Sequence, residues 1–155
     1  MKALALFLSK FGAKIGVDPE LIVEHSQRYY LVSYKLKKFV LMRRNFYSVG
    51  LYLGKIKNGI FFPSFNLLNM LVDVAANKVV LDKKAAWLFV CGRDVFRSGV
   101  LRVYGSRRKG SFTLVLNDFG ECLGFGKIVS SLGDEDSTVV VRNILDVGDF
   151  LRREK

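Results

Sequence analysis

Histidine occurs once in the 155 residues, at position 25, and cysteine only twice, at positions 91 and 122. Cys91 and Cys122 form no CxxC pair and no framework of the secreted type. A reducing compartment fits, and both read as small buried apolar groups. A zinc site built on these residues has at most three soft ligands, far apart in the chain, so no metal is expected. The same shortage leaves His25 as the one base on which a Ser-His or Cys-His nucleophile could be built. It lies between two strand-like segments and reads as a surface or cap residue. There is no apolar run of about 18 residues or more, so no transmembrane helix and no membrane partner are expected. Lys2 followed by the apolar run Ala3 to Leu8 is like the start of a signal peptide, but Ser9 and Lys10 interrupt it before any cleavage site. Acidic residues are scarce as well, 14 against 25 lysines and arginines.

What is present is a large apolar fraction and a strong positive charge. Half the residues are hydrophobic, which is enough for a packed core and too many for a disordered chain. The length allows one domain or two small ones. The net charge is +11. A basic excess of this size on a folded chain calls for an anionic partner, with nucleic acid first and an anionic membrane surface second. Residues 1–82 carry net +7, mostly as lysine, and residues 83–155 carry net +4, mostly as arginine. Arginine is the better residue for bidentate phosphate contact and for stacking on bases.

Hydrophobic periodicity predicts a first amphipathic helix with Leu4, Leu8, Phe11 and Ile15 on one stripe, ended by Gly16. Glu20 to His25 and Arg28 to Ser33 read as strands joined at Ser26-Gln27, and Tyr34 to Met42 as a helix. Tyr47 to Ile60 alternates, with Asn58-Gly59 as a hairpin signal. Pro63 and Ser64 open a helix expected to run to Ala75 or Ala76. Beyond it come a strand at Lys78 to Leu81 and a helix from Lys83 to about Phe89. Four strands then follow, at Val100 to Val103, Phe112 to Leu116, Cys122 to Val129 and Thr138 to Arg142. Several short strands at this spacing point to a small barrel or sandwich. Asp146 to Arg153 reads as a closing helix, acidic at its start and basic at its end. The change of texture near Asn77 divides the chain into an α+β half and a mostly β half.

No coherent catalytic set emerges. Gly124-Phe125-Gly126 begins like a dinucleotide motif but lacks the third glycine and sits inside a strand. Gly105 to Ser111 has P-loop-like spacing without the lysine, which leaves Arg107-Arg108-Lys109 as a basic turn. Asp134-Glu135-Asp136 has no EF-hand spacing and reads as a solvated turn. What remains is a basic surface with aromatics among the cations: Arg93, Arg97, Arg102, Lys127, Arg142, Arg152 and Arg153, with Phe96, Tyr104, Phe112 and Phe125 between them. That mixture suits single-stranded RNA, where cations hold phosphates and rings stack on bases. Phe96, Phe112 and Phe125 read first as core residues.

From Lys78 onward the chain resembles a PUA domain, the small pseudo-barrel of several RNA enzymes. KVVL at 78–81, GRDVFRSGV at 92–100, LVLNDFGECLGFGK at 114–127 and DVGDFLRR at 146–153 follow that pattern in order. SVGLYLGKI at 48–56, a helix after Phe65 and then this domain resemble the NIP-seven family of large-subunit ribosome biogenesis factors, over nearly the whole chain. The resemblance implies an α+β fold: an N-terminal α/β pre-PUA domain at residues 1–77, followed by a C-terminal PUA pseudo-barrel of mostly β-strands at 78–155. It implies a non-enzymatic assembly factor that holds single-stranded regions of ribosomal RNA through the PUA domain and other assembly proteins through the first domain. No cofactor and no small-molecule substrate are implied. The setting is cytoplasmic in an archaeon and nucleolar in a eukaryote. Arg142 matches a basic residue of the family's RNA face, whereas Thr138, Val139 and Leu145 stand where relatives can carry further positive charge. Arg93, Arg97, Lys127, Arg152 and Arg153 join Arg142 as RNA-binding candidates on charge alone. The alternative is an accessory or RNA-binding subunit of an RNA-modification enzyme.

Overall fold

The computed structural model describes residues 2–13, 16–43, 45–130, 138–149 and 152. The first half begins with helix α1 (Lys2–Ser9). An antiparallel meander follows, of β1 (Ile22–His25), β2 (Arg28–Leu31), β3 (Leu51–Lys57) and β4 (Ile60–Pro63), in the order β1-β2-β3-β4. Helix α2 (Tyr34–Met42) connects β2 to β3, and α3 (Phe65–Leu71) follows β4. Ser33 and Ser64 cap these helices, each accepting a 3.2 Å bond from the amide three residues on, Leu36 and Leu67. The two-residue turns at Ser26-Gln27 and Asn58-Gly59 all have positive φ, as tight hairpins require.

The second half holds β5 (Lys78–Leu81), α4 (Lys83–Val90), β6 (Val95–Phe96), β7 (Val100–Tyr104), β8 (Phe112–Leu116), β9 (Cys122–Ile128) and β10 (Val139–Asp146). Asp82 caps α4 through a 2.7 Å bond from the Ala85 amide. The strand order is β6-β10-β9-β8-β5-β7, antiparallel except for the parallel pair β5–β8. The two outermost strands, β6 and β7, are joined by only the three residues Arg97–Gly99, which form a 3-10 turn. So short a link between opposite edges forces the sheet to curl round on itself. The result is the curled, mostly β architecture expected from the sequence.

Strand alternation sorts the apolar residues into two cores. Val79, Leu81, Phe89, Val95, Val115, Ile128, Val140 and Val141 fill the inside of the curl. The other core lies between the halves: Leu114, Leu116 and Phe125 from the outside of the curl pack with Leu4, Phe7, Phe11, Tyr29, Leu53, Phe61 and the leucines of α3. Phe7 touches Phe11, Phe61 and Phe125 at centroid distances of 5.1, 5.1 and 5.6 Å, in tilted or edge-on geometry.

Several boundaries differ from the sequence reading. Helix α1 stops at Ser9 instead of running on to Gly16, and its inward residues are Leu4 and Phe7, with Leu8 only half-buried. Phe11 stays buried because the chain turns there to meet Asn77. Ile15 lies outside the described residues, as does the cluster at 134–136. Helix α3 ends at Leu71, short of Ala75. The last strand does not end at Arg142: Asn143, Leu145 and Asp146 find partners in Gly126, Phe125 and Gly124, so pairing with β9 extends it to Asp146. Asp146 therefore closes a strand instead of opening a helix. Cys91 is exposed, against the expectation of burial, because it follows the last turn of α4.

The halves are tied together at Asn77, which is 6 % exposed. Its side-chain amide donates to the carbonyls of Lys10 (3.3 Å) and Phe112 (3.1 Å), and its Oδ1 accepts from the Ser106 amide at 2.8 Å. Its backbone bonds Phe11 and Leu114. Asn77→Ala leaves two carbonyls and one amide without partners in a buried place. We expect a loss of about 3 kcal/mol, read by urea unfolding; a loss below about 0.5 kcal/mol, the size of an ordinary surface change, would contradict this role.

Burial pushes the Cys122 thiol up to about 11. Thiolate is the reactive form, so iodoacetamide at pH 8 should modify Cys91 and spare Cys122 in the folded protein. Equal labelling of both, read by mass spectrometry, would contradict the packing of β9.

Candidate nucleic-acid interface

Two glycines in β9 set the geometry of the basic face. Gly124 has φ +147°, and a Cβ there would collide with the Leu145 carbonyl. A Cβ on Gly126 would strike the Val141 side chain and the Arg142 carbonyl. Glycine at both sites lets β10 cross close over β9, and this is the physical content of the LGFGK segment. The resulting register aligns Phe112, Lys127 and Arg142 in one row across β8, β9 and β10.

Directly paired residues project on the same face, with Cβ atoms about 5 Å apart. Lys127 and Arg142 are both exposed. Among the described residues, neither makes a salt bridge with a carboxylate. Like charges held opposite each other repel, and an anion seated between them reverses the sign. The next residue in the row, Phe112, is half-buried, with the Lys10 ammonium 4.7 Å from its ring centroid.

The loop at 105–111 continues this row. The Gly110 amide donates to the Ile128 carbonyl at 2.7 Å, and the Ile128 amide to the Ser111 carbonyl at 2.9 Å, which pins the loop beside Lys127. Its other end is held by the Ser106–Asn77 bond. Gly105 has φ +74°, and a Cβ there would meet Ala76 and Asn77. Arg107, Arg108 and Lys109 are exposed along it. The turn that reads in sequence as a solvated tip is thus anchored at both ends, next to the Lys127–Arg142 pair.

The other candidates are distributed elsewhere. Arg93 is exposed after α4; the side-chain amide of Asn143, the residue after Arg142, donates to the Phe89 and Arg93 carbonyls. Alternation therefore puts Arg93 and Arg142 on opposite sides of β10. Arg97 is half-buried at the β6–β7 turn, with its guanidinium 3.4 Å from the Val100 carbonyl. Arg152 donates at 2.6 Å to both the Asp146 carboxylate and the Val90 carbonyl, and the carboxylate holds its pKa above the ordinary value. Asp146 is 2 % exposed, so this guanidinium is committed to a buried partner. Arg153 lies outside the described residues. Phe125 is core as expected, whereas Phe96 is 48 % exposed because β6 is only two residues long.

Residues 77–155 match the UPF0113 PUA-domain family. The chain belongs to that family. A UPF0113 protein of Archaeoglobus fulgidus is 33 % identical over 84 residues, covering 51 % of this chain and 47 % of that protein. The "60S ribosome subunit biogenesis protein NIP7 homolog" of Tetraodon nigroviridis is 28 % identical over 162 residues, 94 % of this chain and 90 % of the relative. The homolog of the same name from Sus scrofa is 26 % identical over 167 residues, covering 97 % and 93 %. A conserved PUA domain protein from Thermoplasma acidophilum shares the fold with a TM-score of 0.62 at 21 % identity, over 98 % of this chain and 93 % of that one. The family resemblance read from the sequence is borne out. In this UPF0113 chain, the row of Phe112, Lys127 and Arg142 lies across the last three strands of the PUA domain.

Arg142→Ala should weaken binding to single-stranded RNA by about 1 kcal/mol, the scale of one charge-assisted bond, with the melting temperature unchanged. Arg152→Ala should do the reverse, because it strands a buried carboxylate: a lower melting temperature and unchanged RNA affinity. Anisotropy titrations and circular dichroism melts read both. If Arg152→Ala lost affinity without losing stability, it would belong to the RNA face.

Proposed function

We propose that this chain is a non-enzymatic RNA-binding assembly factor of the large ribosomal subunit. The observation that carries the reading is the Lys127–Arg142 pair, continued by the anchored Arg107-Arg108-Lys109 loop, on a PUA-family domain. Membership of a family named for this domain and the names of the full-length relatives support it. The ligand is ribosomal RNA in single-stranded regions, held mainly through phosphates. Arg93, across β10 from Arg142, and Arg97, at the β6–β7 turn, stand apart from this face.

The division of labour is part of the same proposal: residues 78–155 hold RNA, and residues 1–77 meet other assembly proteins. Helix α2 supports the second role. Only Val40 among its residues is buried, while Tyr34, Phe39, Leu41 and Met42 are more than half exposed, beside Lys35 and Lys38. Tyr34 donates a 2.6 Å bond to Asp18, which lowers that carboxyl's pKa and fixes the start of the helix. An apolar, cationic helix face of this kind suits a protein partner better than water. The site of action is the cytoplasm in a cell without a nucleus and the nucleolus in one with a nucleus.

Crosslinking of the protein to RNA in cells, followed by sequencing of the bound fragments, tests the reading. Fragments concentrated on large-subunit ribosomal RNA are expected. Fragments concentrated on transfer RNA would overturn it.

A further inference from the structure

The geometry points to a second RNA contact: an arginine–tyrosine cleft along β7 that takes a phosphodiester among its guanidinium groups and stacks a nucleobase on Tyr104. This inference rests on the RNA reading above and extends it to β7, at the other end of the strand order.

Strand β7 is the outermost strand of the six, next to β5 alone. Its pairing with β5 slips: Val80 faces Arg102 while Leu81 faces Val100, which leaves Leu101 as an extra residue. A bulge of this kind re-aims side chains. Leu101 and Arg102 are both exposed, Leu101 at 55 %. Tyr104 lies two residues beyond Arg102, on the same face, and is 44 % exposed. Arg97, from the turn before β7, and Arg107, from the loop after it, come back to line the same shallow cleft of about 330 Å³. Three arginines and a half-exposed ring, from four chain positions, thus line one cleft.

No carboxylate lines this cleft. Among the described residues, none of the three arginines makes a salt bridge with a carboxylate. The Lys78 ammonium lies 5.8 Å from the Tyr104 centroid, but it donates to the Val72 carbonyl at 2.8 Å and lines the neighbouring depression instead. The nearest acids, Asp73 and Asp118, line a separate depression that also touches Arg102 and Tyr104. They direct a phosphate toward the Arg97–Arg107 side of the strand. Arginines lining one cleft without a counter-charge repel each other, and a phosphate oxygen set suits their fork geometry. A partly exposed tyrosine beside them supplies the stacking surface that single-stranded RNA uses. The two contacts are connected: Arg107 belongs to the loop that ends beside Lys127. Four steps of the strand order separate β7 from β10, about 19 Å along the sheet. One RNA strand of several nucleotides can therefore engage both.

The test is titration of the full-length protein with an oligouridylate of about 12 nucleotides, inside the range of single-strand site sizes, at several salt concentrations. The Arg102→Gln/Arg107→Gln variant should bind about tenfold more weakly, and its slope of log K against log salt should shrink by about 1.4, two phosphate contacts at about 0.7 each. Tyr104→Ala should also lose about tenfold, but with the slope unchanged, because stacking releases no counterions. Tyr104→Phe keeps the ring and should bind like wild type, which separates stacking from a folding defect. Photocrosslinking of wild-type protein to a 4-thiouridine oligomer should label the peptide containing Tyr104. Wild-type affinity and slope in the double arginine variant would overturn the cleft, while a loss in Arg142→Ala would leave the main RNA face standing. No RNA binding by wild type would overturn both. Polyglutamate bound with the affinity of RNA, and with the same dependence on Tyr104, would assign the cleft to an acidic protein segment instead and overturn the inference.

Discussion

The side chain of Asn77 ties three pieces of chain together at one buried point. It joins the end of the first helix at Lys10, the start of β8 at Phe112 and the loop after β7 at Ser106. An asparagine amide can serve two carbonyls and one N–H at once, which no aliphatic or hydroxyl side chain of its size does. Around this knot the shared phenylalanine cluster can close, since Phe11 and Phe112 are held by it on either side, their rings 5.7 Å apart. The same knot anchors the basic loop. Stability and the position of the basic loop therefore depend on one set of hydrogen bonds.

The basic face itself is a consequence of close strand crossing. Gly124 and Gly126 allow β10 to approach β9, and the register that follows brings Lys127 opposite Arg142. Repulsion between them is tolerable at the surface, where water and salt screen it. It becomes binding energy once a phosphate arrives. Arg152 shows the opposite use of the same residue type: its charge is spent on Asp146, inside the fold.

Much of the fold was legible in the sequence because its signals are local. The Ser64 helix start, the Asn58-Gly59 hairpin and the β-rich second half all depend on neighbours within a few residues. The closing strand was not, since its extension past Arg142 depends on partners in β9 about twenty residues away. The exposure of Phe96 follows from how short β6 is, which composition does not encode. The candidate site was legible as a charge type and, through family resemblance, at Arg142. The convergence of Arg97, Arg102 and Arg107 was not. It arises from a bulge at Leu101 and a turn that brings opposite sheet edges together. A basic turn between two strands, followed by a glycine pair and lysine, is the signal that would have pointed to the anchored loop.

On the proposed reading, RNA runs along the outer face of the curled sheet, from the β9–β10 pair over the loop at 105–111 toward β7. Amide chemical-shift mapping of isotope-labelled protein during titration with oligouridylate tests it most directly. Shifts are expected at Lys127, Arg142, residues 105–111 and β7, with β1, β2 and the exposed face of α2 silent. Shifts concentrated on α2 and the first sheet, with the loop at 105–111 unmoved, would contradict it.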